Sequence, residues 1–199
     1  MSREDPASGE NDPAKREIDT VDVIVSAWYR ERPDLDVSPL SVLSRVSRLA
    51  RHLDLARRAC FDRHGLEPGE FDVLAALRRS GTPYELSPGA LCAETLVTSG
   101  TMTNRVDRLQ SDGLIIRERA VDDRRGVRVR LTAAGRERVD ATLTDLLSVE
   151  RRLLGELDDK QIDDLADRLR VLTLPLEDSR EQMRTTNRPD GMTNTADEA

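Results

Sequence analysis

The chain has 199 residues, a formal net charge of −7 at pH 7, 37% apolar and 3% aromatic side chains, and two cysteines. That length fits one domain, or one domain with appendages, and can bury a core without covalent staples. Two cysteines exclude a disulfide framework, and an apolar run long enough to span a bilayer is missing, as is a basic-then-apolar leader, so the expectation is a soluble cytoplasmic protein outside the membrane.

The net charge taken alone argues against nucleic acid, but its distribution reverses that conclusion. Residues 1–20 carry three basic and six acidic side chains, and residues 156–199 carry six basic and twelve acidic ones. Between these acidic ends, residues 98–132 hold eight arginines against five acids. Binding to DNA follows local charge rather than the total.

Residues 1–17 are polar and contain Pro6, Gly9 and Pro13, which predicts a disordered arm. From Ile18 to Arg30, Val21, Ile24, Val25 and Trp28 recur at helical spacing. Arg32-Pro33 and the following Asp34 to Val37 break the pattern, and Ser38-Pro39 reads as a cap followed by proline in the first turn. A long helix then runs to about His64, with Leu43, Val46, Leu49, Leu53 and Ala56 on one stripe, and ends at Gly65. A third helix spans Pro68 to Ser80, and a short fourth runs over about 88–94 behind the cap Ser87. Thr98 or Ser99 caps a fifth, which stops at Asp112-Gly113. The period then becomes two, giving strands over Leu114–Arg119 and Gly126–Leu131. Thr132 caps a sixth helix over about 133–153, and a seventh runs from about Asp158 to Leu176.

A short helix, a tight turn, a helix and a hairpin with a charged tip form the order of a winged helix-turn-helix. In the fifth helix Met102, Val106 and Leu109 are spaced to bury, which leaves Gly100, Thr101, Asn104 and Arg108 on the opposite face and Arg105 at the border. Hydroxyls, an amide and an arginine are groups that read base edges and phosphates. The hairpin tip, Asp122-Asp123-Arg124-Arg125, offers two arginines to a minor groove, with Asp123 placed to brace Arg125. An amphipathic surface helix and a solvated turn would look similar separately; their succession favours DNA.

The string from Asp123 through Arg125, Val129, Leu131 and Thr132 to Ala134-Gly135 resembles the wing signature of the MarR family of bacterial transcriptional regulators. The stretch Ser99 to Leu109, followed by Gly113-Leu114, is similar to that family's recognition helix. The resemblance covers about 40–178. It implies a mainly α winged helix-turn-helix protein with a small β-wing, acting as a homodimer on a double-stranded, pseudo-palindromic operator. It assigns DNA contact to Ser99, Gly100, Thr101, Thr103, Asn104, Arg108, Asp123, Arg124 and Arg125. Residues 18–64 then hold dimerisation and ligand helices, 65–132 the DNA-binding domain, 133–178 further dimerisation helices, and 179–199 a disordered tail. The apolar stripes of the first, second, sixth and seventh helices independently call for a partner.

A narrower likeness is to the PecS-like, urate-responsive subgroup. The additional N-terminal helix with its tryptophan resembles that subgroup, and so does a set of four residues: Trp28, Asp72, Arg79 and Arg105. Asp72 and Arg79 are seven apart and share a helix face. An arginine fork suits a planar anion, and an entering anion disfavours the charge on a neighbouring carboxylate. The resemblance thus implies a repressor released by a small anionic effector such as urate. The alternatives are release by a tricarboxylate (aconitate or citrate), which Arg79 serves equally, and cysteine-based redox sensing through Cys60 or Cys92. Catalysis is not expected: His52 and His64 lie in no metal-spaced cluster, and phosphate-loop and nucleophile-elbow motifs are missing. No metal or cofactor is expected either.

Overall fold

The structure, a computed structural model, describes residues 17–119 and 126–186. The sequence expectations for the first sixteen residues, for the hairpin tip with Asp123, Arg124 and Arg125, and for the chain beyond 186 lie outside the described residues. The chain divides into two compact units, one reaching Val149 and the other beginning at Glu150.

Helix α1 spans Thr20–Glu31 and α2 spans Ser38–Arg63. Asp19 caps α1 by accepting from the amides of Val21 and Asp22 at 2.7 and 2.9 Å, and the Asp22 side chain accepts from the amide of Asp19 in return. The expected Ser38 cap is not the one used. Ser38 is the first helical residue, and its amide donates to Asp36 Oδ1 at 3.0 Å. The carboxylate two residues upstream is the stronger acceptor for that orphan amide. The first half of α2 leaves Val42, Leu43, Val46 and Leu49 exposed, while its end buries Cys60 and Phe61.

Arg45 joins these helices, with Nε 2.8 Å from Asp19 Oδ2 and Nη2 2.7 Å from Asp22 Oδ1. The Arg45 hydrogen bonds, followed by the Asp22 amide, lower the Asp19 carboxyl from 3.8 to about 2. A carboxyl lowered by folding adds stability above its ordinary range and loses that contribution as pH falls towards 2. An Arg45→Ala variant is therefore expected to be less stable than the parent near neutrality, with the difference closing between about pH 4 and 2. The fluorescence of Trp28 on α1, the sole tryptophan, measures this in acid titrations.

Helix α3 (Pro68–Arg79), strand β1 (Glu85–Leu86), α4 (Pro88–Thr95), α5 (Ser99–Ser111), β2 (Ile115–Arg119) and β3 (Val127–Leu131) follow. The antiparallel sheet has the order β1-β3-β2, with Glu85 opposite Arg130 and Ile115 opposite Leu131. Alternation drives Ile115, Val129 and Leu131 inward. They meet Val73, Leu74 and Leu77 of α3, Leu91 of α4, and Met102, Val106 and Leu109 of α5 in one core, which also takes in Phe61, Val139 and Leu146.

Helix α6 spans Ala133–Leu154 and α7 spans Asp159–Thr186. The helix end expected near Leu176 is too early, since α7 continues through Pro175 to Thr186. Glu177, Glu181, Gln182, Met183 and Arg184 are all good helix formers, and their propensity outweighs the polar composition that suggested a tail. On α7, Leu169, Val171, Leu172, Leu174 and Leu176 are exposed.

Candidate functional site

The α4–turn–α5 unit owes its shape to two caps and one strained residue. Ser87 Oγ accepts from the amide of Ala90 at 3.2 Å, and Thr98 Oγ1 accepts from the amide of Thr101 at 3.4 Å. Between the helices Leu96 adopts a left-handed conformation at φ 55°, which is costly for a residue with a branched side chain. The buried stripe of α5 is the expected one: Met102, Val106 and Leu109 are each at most 2% exposed. Ser99, Gly100, Thr101, Thr103, Asn104 and Arg108 are exposed and Arg105 is half-buried.

These exposed groups are not equivalent. Thr103 Oγ1 donates to the carbonyl of Ser99 at 3.0 Å, and the Thr101 hydroxyl lies 3.1 Å from that of Thr98. Arg108 reaches back to α3, with Nη1 2.7 Å from Glu67 Oε1 and Nε 2.9 Å from Glu70 Oε1. Its fork holds α5 to the first turn of α3, where Glu70 Oε2 also accepts from the amide of Glu67 at 2.8 Å. Asn104 is exposed like Thr101, and among the described residues it has no intramolecular tie of this kind.

The hairpin is tied by two adjacent residues of β2. Arg117 of β2 pairs with Asp107 of α5, and Arg130 Nη2 of β3 lies 2.6 Å from Glu118 Oε1. At its base, Thr132 Oγ1 donates to the carbonyl of Gly113 at 2.8 Å and accepts from the amide of Gly135 at 3.0 Å. The threonine and glycine of the wing signature are therefore structural: they lock the start of α6 against the end of α5.

Between α2, α3 and α6, a cavity of about 280 Å³ is lined by Asp54, Arg57, Arg58, Phe61, Pro68, Phe71, Asp72 and Leu146. Phe61 and Phe71 stack with centroids 4.7 Å apart and planes at 20°. Burial pushes the Asp72 carboxyl above its ordinary range, against the opposing pull of Arg105, Arg57 and Arg79. Asp72, Arg79 and Arg105 thus share one electrostatic neighbourhood, although neither Arg79 nor Arg105 is among the residues that line the cavity. Arg79 is largely exposed and its Nη2 lies 3.6 Å from Glu94 Oε2. Trp28 is about half exposed on α1, and it is not among the residues that line this cavity. A carboxyl raised above its ordinary range, within the field of several guanidinium groups and beside stacked rings, is chemistry suited to a flat anion.

Sequence reasoning missed Arg57, the Phe61–Phe71 stack and the Glu67–Glu70 turn that receives Arg108. Arg57 and Phe61 are four apart on one helix, a spacing that places them on a common face. Nothing local pairs that face with α3. Of the two cysteines, Cys60 is fully buried and Cys92 partly so. Buried thiols in apolar surroundings are poor oxidant targets. Among the described residues, no helix is long and apolar enough to cross a membrane.

Comparison with known proteins places this geometry. Residues 64–126 match the model of the MarR family. Over 138 residues the chain is 36% identical to the HTH-type transcriptional regulator PecS of Dickeya dadantii (strain 3937), covering 69% of this chain and 83% of that protein. It resembles the solved structure of Sco3205, a MarR family transcriptional regulator from Streptomyces coelicolor in complex with DNA, at a TM-score of 0.61 and 21% identity over 70% of this chain and 88% of that one. It also resembles BpsR of Bordetella bronchiseptica, whose DNA binding is regulated by 6-hydroxynicotinic acid, at a TM-score of 0.57 and 22% identity over 67% and 93% of the two chains. The winged helix-turn-helix, its α5 and its arginine-bearing hairpin are accordingly those of a regulator rather than an enzyme, and the chain belongs to the MarR family of DNA-binding transcriptional regulators.

Proposed function

We propose that the protein is a homodimeric repressor that grips a palindromic operator and releases it when a small planar anion, such as urate, enters the Asp72 cavity. The observation that carries this reading is the Asp72 carboxyl, exposed at the cavity mouth yet raised by desolvation, and acted on by the charges of Arg57, Arg79 and Arg105, the last of which belongs to the reading helix itself. An anion there draws the guanidinium groups to itself and favours a neutral Asp72. Movement of Arg105 then carries α5, and the same coupling weakens the anion's binding when DNA is bound. BpsR, in which a small aromatic acid regulates DNA binding, supports a flat anion as the effector class. Trp28 contributes a flat face and an indole donor on the side of α1. The exposed apolar stripes on α1, α2 and α7 supply the surface for a second copy. Ser99, Gly100, Thr101, Thr103 and Asn104 face the major groove, while Asp123, Arg124 and Arg125 act from the hairpin tip. Phosphate contacts make operator affinity fall steeply with salt.

Thermal melting with and without urate, then with citrate or aconitate, tests the effector. Hundredfold excess over Kd is worth about 2.7 kcal/mol, which raises Tm by roughly 5–10 °C for a chain of this size. A urate shift that disappears in Arg79→Ala supports the reading. A shift with the tricarboxylates alone keeps the cavity and changes the effector. A flat response to all three overturns release by a small anion of these types.

A further inference from the structure

The backbone of α3 at Gly69 is covered by an arginine from another helix. A Cβ built on Gly69 would collide with Cζ, Nε and Nη2 of Arg105, so the guanidinium plane of Arg105 lies directly on the first turn of α3. Its Nη1 is buried and has no hydrogen-bond partner among the described residues. Gly69 stands between Pro68 and Glu70: Pro68 lines the Asp72 cavity, and Glu70 receives Arg108. Arg105 and Arg108 are three apart on α5, so they descend on this turn side by side. One is fixed by carboxylates and the other rests on bare backbone.

We infer that Gly69 is a positioning residue: the missing side chain is the seat that lets Arg105 of the reading helix lie beside Asp72, and Arg108 is the pivot on which α5 turns when Arg105 leaves that seat. The assignment rests on the effector reading only for its regulatory consequence. The contact itself involves no ligand. Arg108 cannot take the place of Arg105, because Glu67 and the buried Glu70 hold it at 2.7 and 2.9 Å. Among the described residues Arg105 has no comparable tie, and its buried Nη1 is the donor an incoming anion would satisfy. Any side chain at position 69 removes the seat. The group that must yield is the far end of a flexible side chain rather than backbone, so the fold tolerates the change. Alanine is also the better helix former at this position.

The test compares the parent, Gly69→Ala, Arg105→Ala and the double variant, all as full chains. The first readout is the titration of the Asp72 carboxyl by carbon-detected NMR, with the signal assigned by its loss in Asp72→Asn. Arg105 heads the charges that oppose the raised Asp72 value, so displacing it moves the titration upward. We expect Gly69→Ala to shift Asp72 in the same direction as Arg105→Ala, and the double variant to coincide with Arg105→Ala, as two changes acting through one contact must. The second readout is the urate concentration that half-releases a duplex selected by the parent from a random pool. It should rise at least about fivefold in Gly69→Ala and no further in the double variant. An unmoved Asp72 titration in Gly69→Ala overturns the assignment, whatever urate does. So does additivity in the double variant, or a melting point lowered by more than about 5 °C. A shifted titration in a protein whose DNA binding ignores urate keeps the Gly69 seat and removes urate as the effector.

Discussion

Replacing Gly135 with alanine is expected to cost about 3 kcal/mol, a fall in Tm of roughly 6–12 °C, and operator binding with it. Position 135 lies in the first turn of α6, where the helix passes over the end of α5. A Cβ there would run into the carbonyl oxygen of Leu114, with Leu114 C at 2.9 Å and Leu131 Cδ2 at 3.2 Å. Two of these three atoms are backbone, so no rotamer change relieves the clash. Leu114 cannot retreat, because its carbonyl accepts from the amide of Thr132 at 3.1 Å and its amide donates to the carbonyl of Leu109 at 2.9 Å. The strain must therefore lift α6 away from the hairpin base or tilt β2. Either movement displaces the wing relative to α5, which β2 meets through the Arg117–Asp107 pair. Differential scanning calorimetry measures the stability loss. A Gly135→Ala protein that melts like the parent would show that α6 is not locked at this point. The contrast with Gly69 is informative, because there the obstructing atoms belong to a side-chain tip and the expected effect is on regulation instead of stability.

Truncating Asn104 to alanine is expected to remove sequence discrimination of about 1–3 kcal/mol, or roughly fivefold to a hundredfold, at the base pair it reads. Of the polar groups on the exposed face of α5, Thr103 has its hydroxyl engaged by Ser99, Thr101 shares its hydroxyl with Thr98, and Arg108 is held by Glu67 and Glu70. Asn104 keeps both a donor and an acceptor for a base edge, the pairing that suits adenine. Thr103→Ala is expected to change affinity by less than about threefold, since it removes a bond internal to the helix. Selection of randomised duplexes by the parent and each variant separates loss of preference from loss of affinity. If Asn104→Ala weakens all sequences alike, the residue contacts backbone and the assignment to base reading fails. Arg124→Ala and Arg125→Ala carry the opposite expectation, a uniform weakening with a shallower salt dependence.

Much of this architecture is legible locally. The helix limits of α1, α3, α4 and α5 fall within a residue or two of those read from the apolar spacing and from the caps at Ser87 and Thr98. The buried triad Met102, Val106 and Leu109 follows from period alone, and the change to period two marks β2 and β3. Each of these depends on neighbours within one or two turns, which is the range over which composition dictates backbone. The helix ends at Ser38 and beyond Leu176 were harder, because there a nearby carboxylate or a run of helix formers competes with the more familiar signal.

The amino-acid sequence by itself determined a mainly helical chain with a reading helix, a basic hairpin and unpartnered apolar stripes, because amphipathic period, capping and turn chemistry act between residues close in the chain. The tertiary structure alone decided which charges meet. It added β1, a two-residue strand that exists only because β3 is there to pair with it. It set Arg108 on Glu67 and Glu70 across some forty residues, added Arg57 to the charges that act on Asp72, and laid Arg105 on Gly69. Those contacts arise where α2, α3 and α5 cross, and no pattern within any one of these helices encodes the angle and register at which they do so.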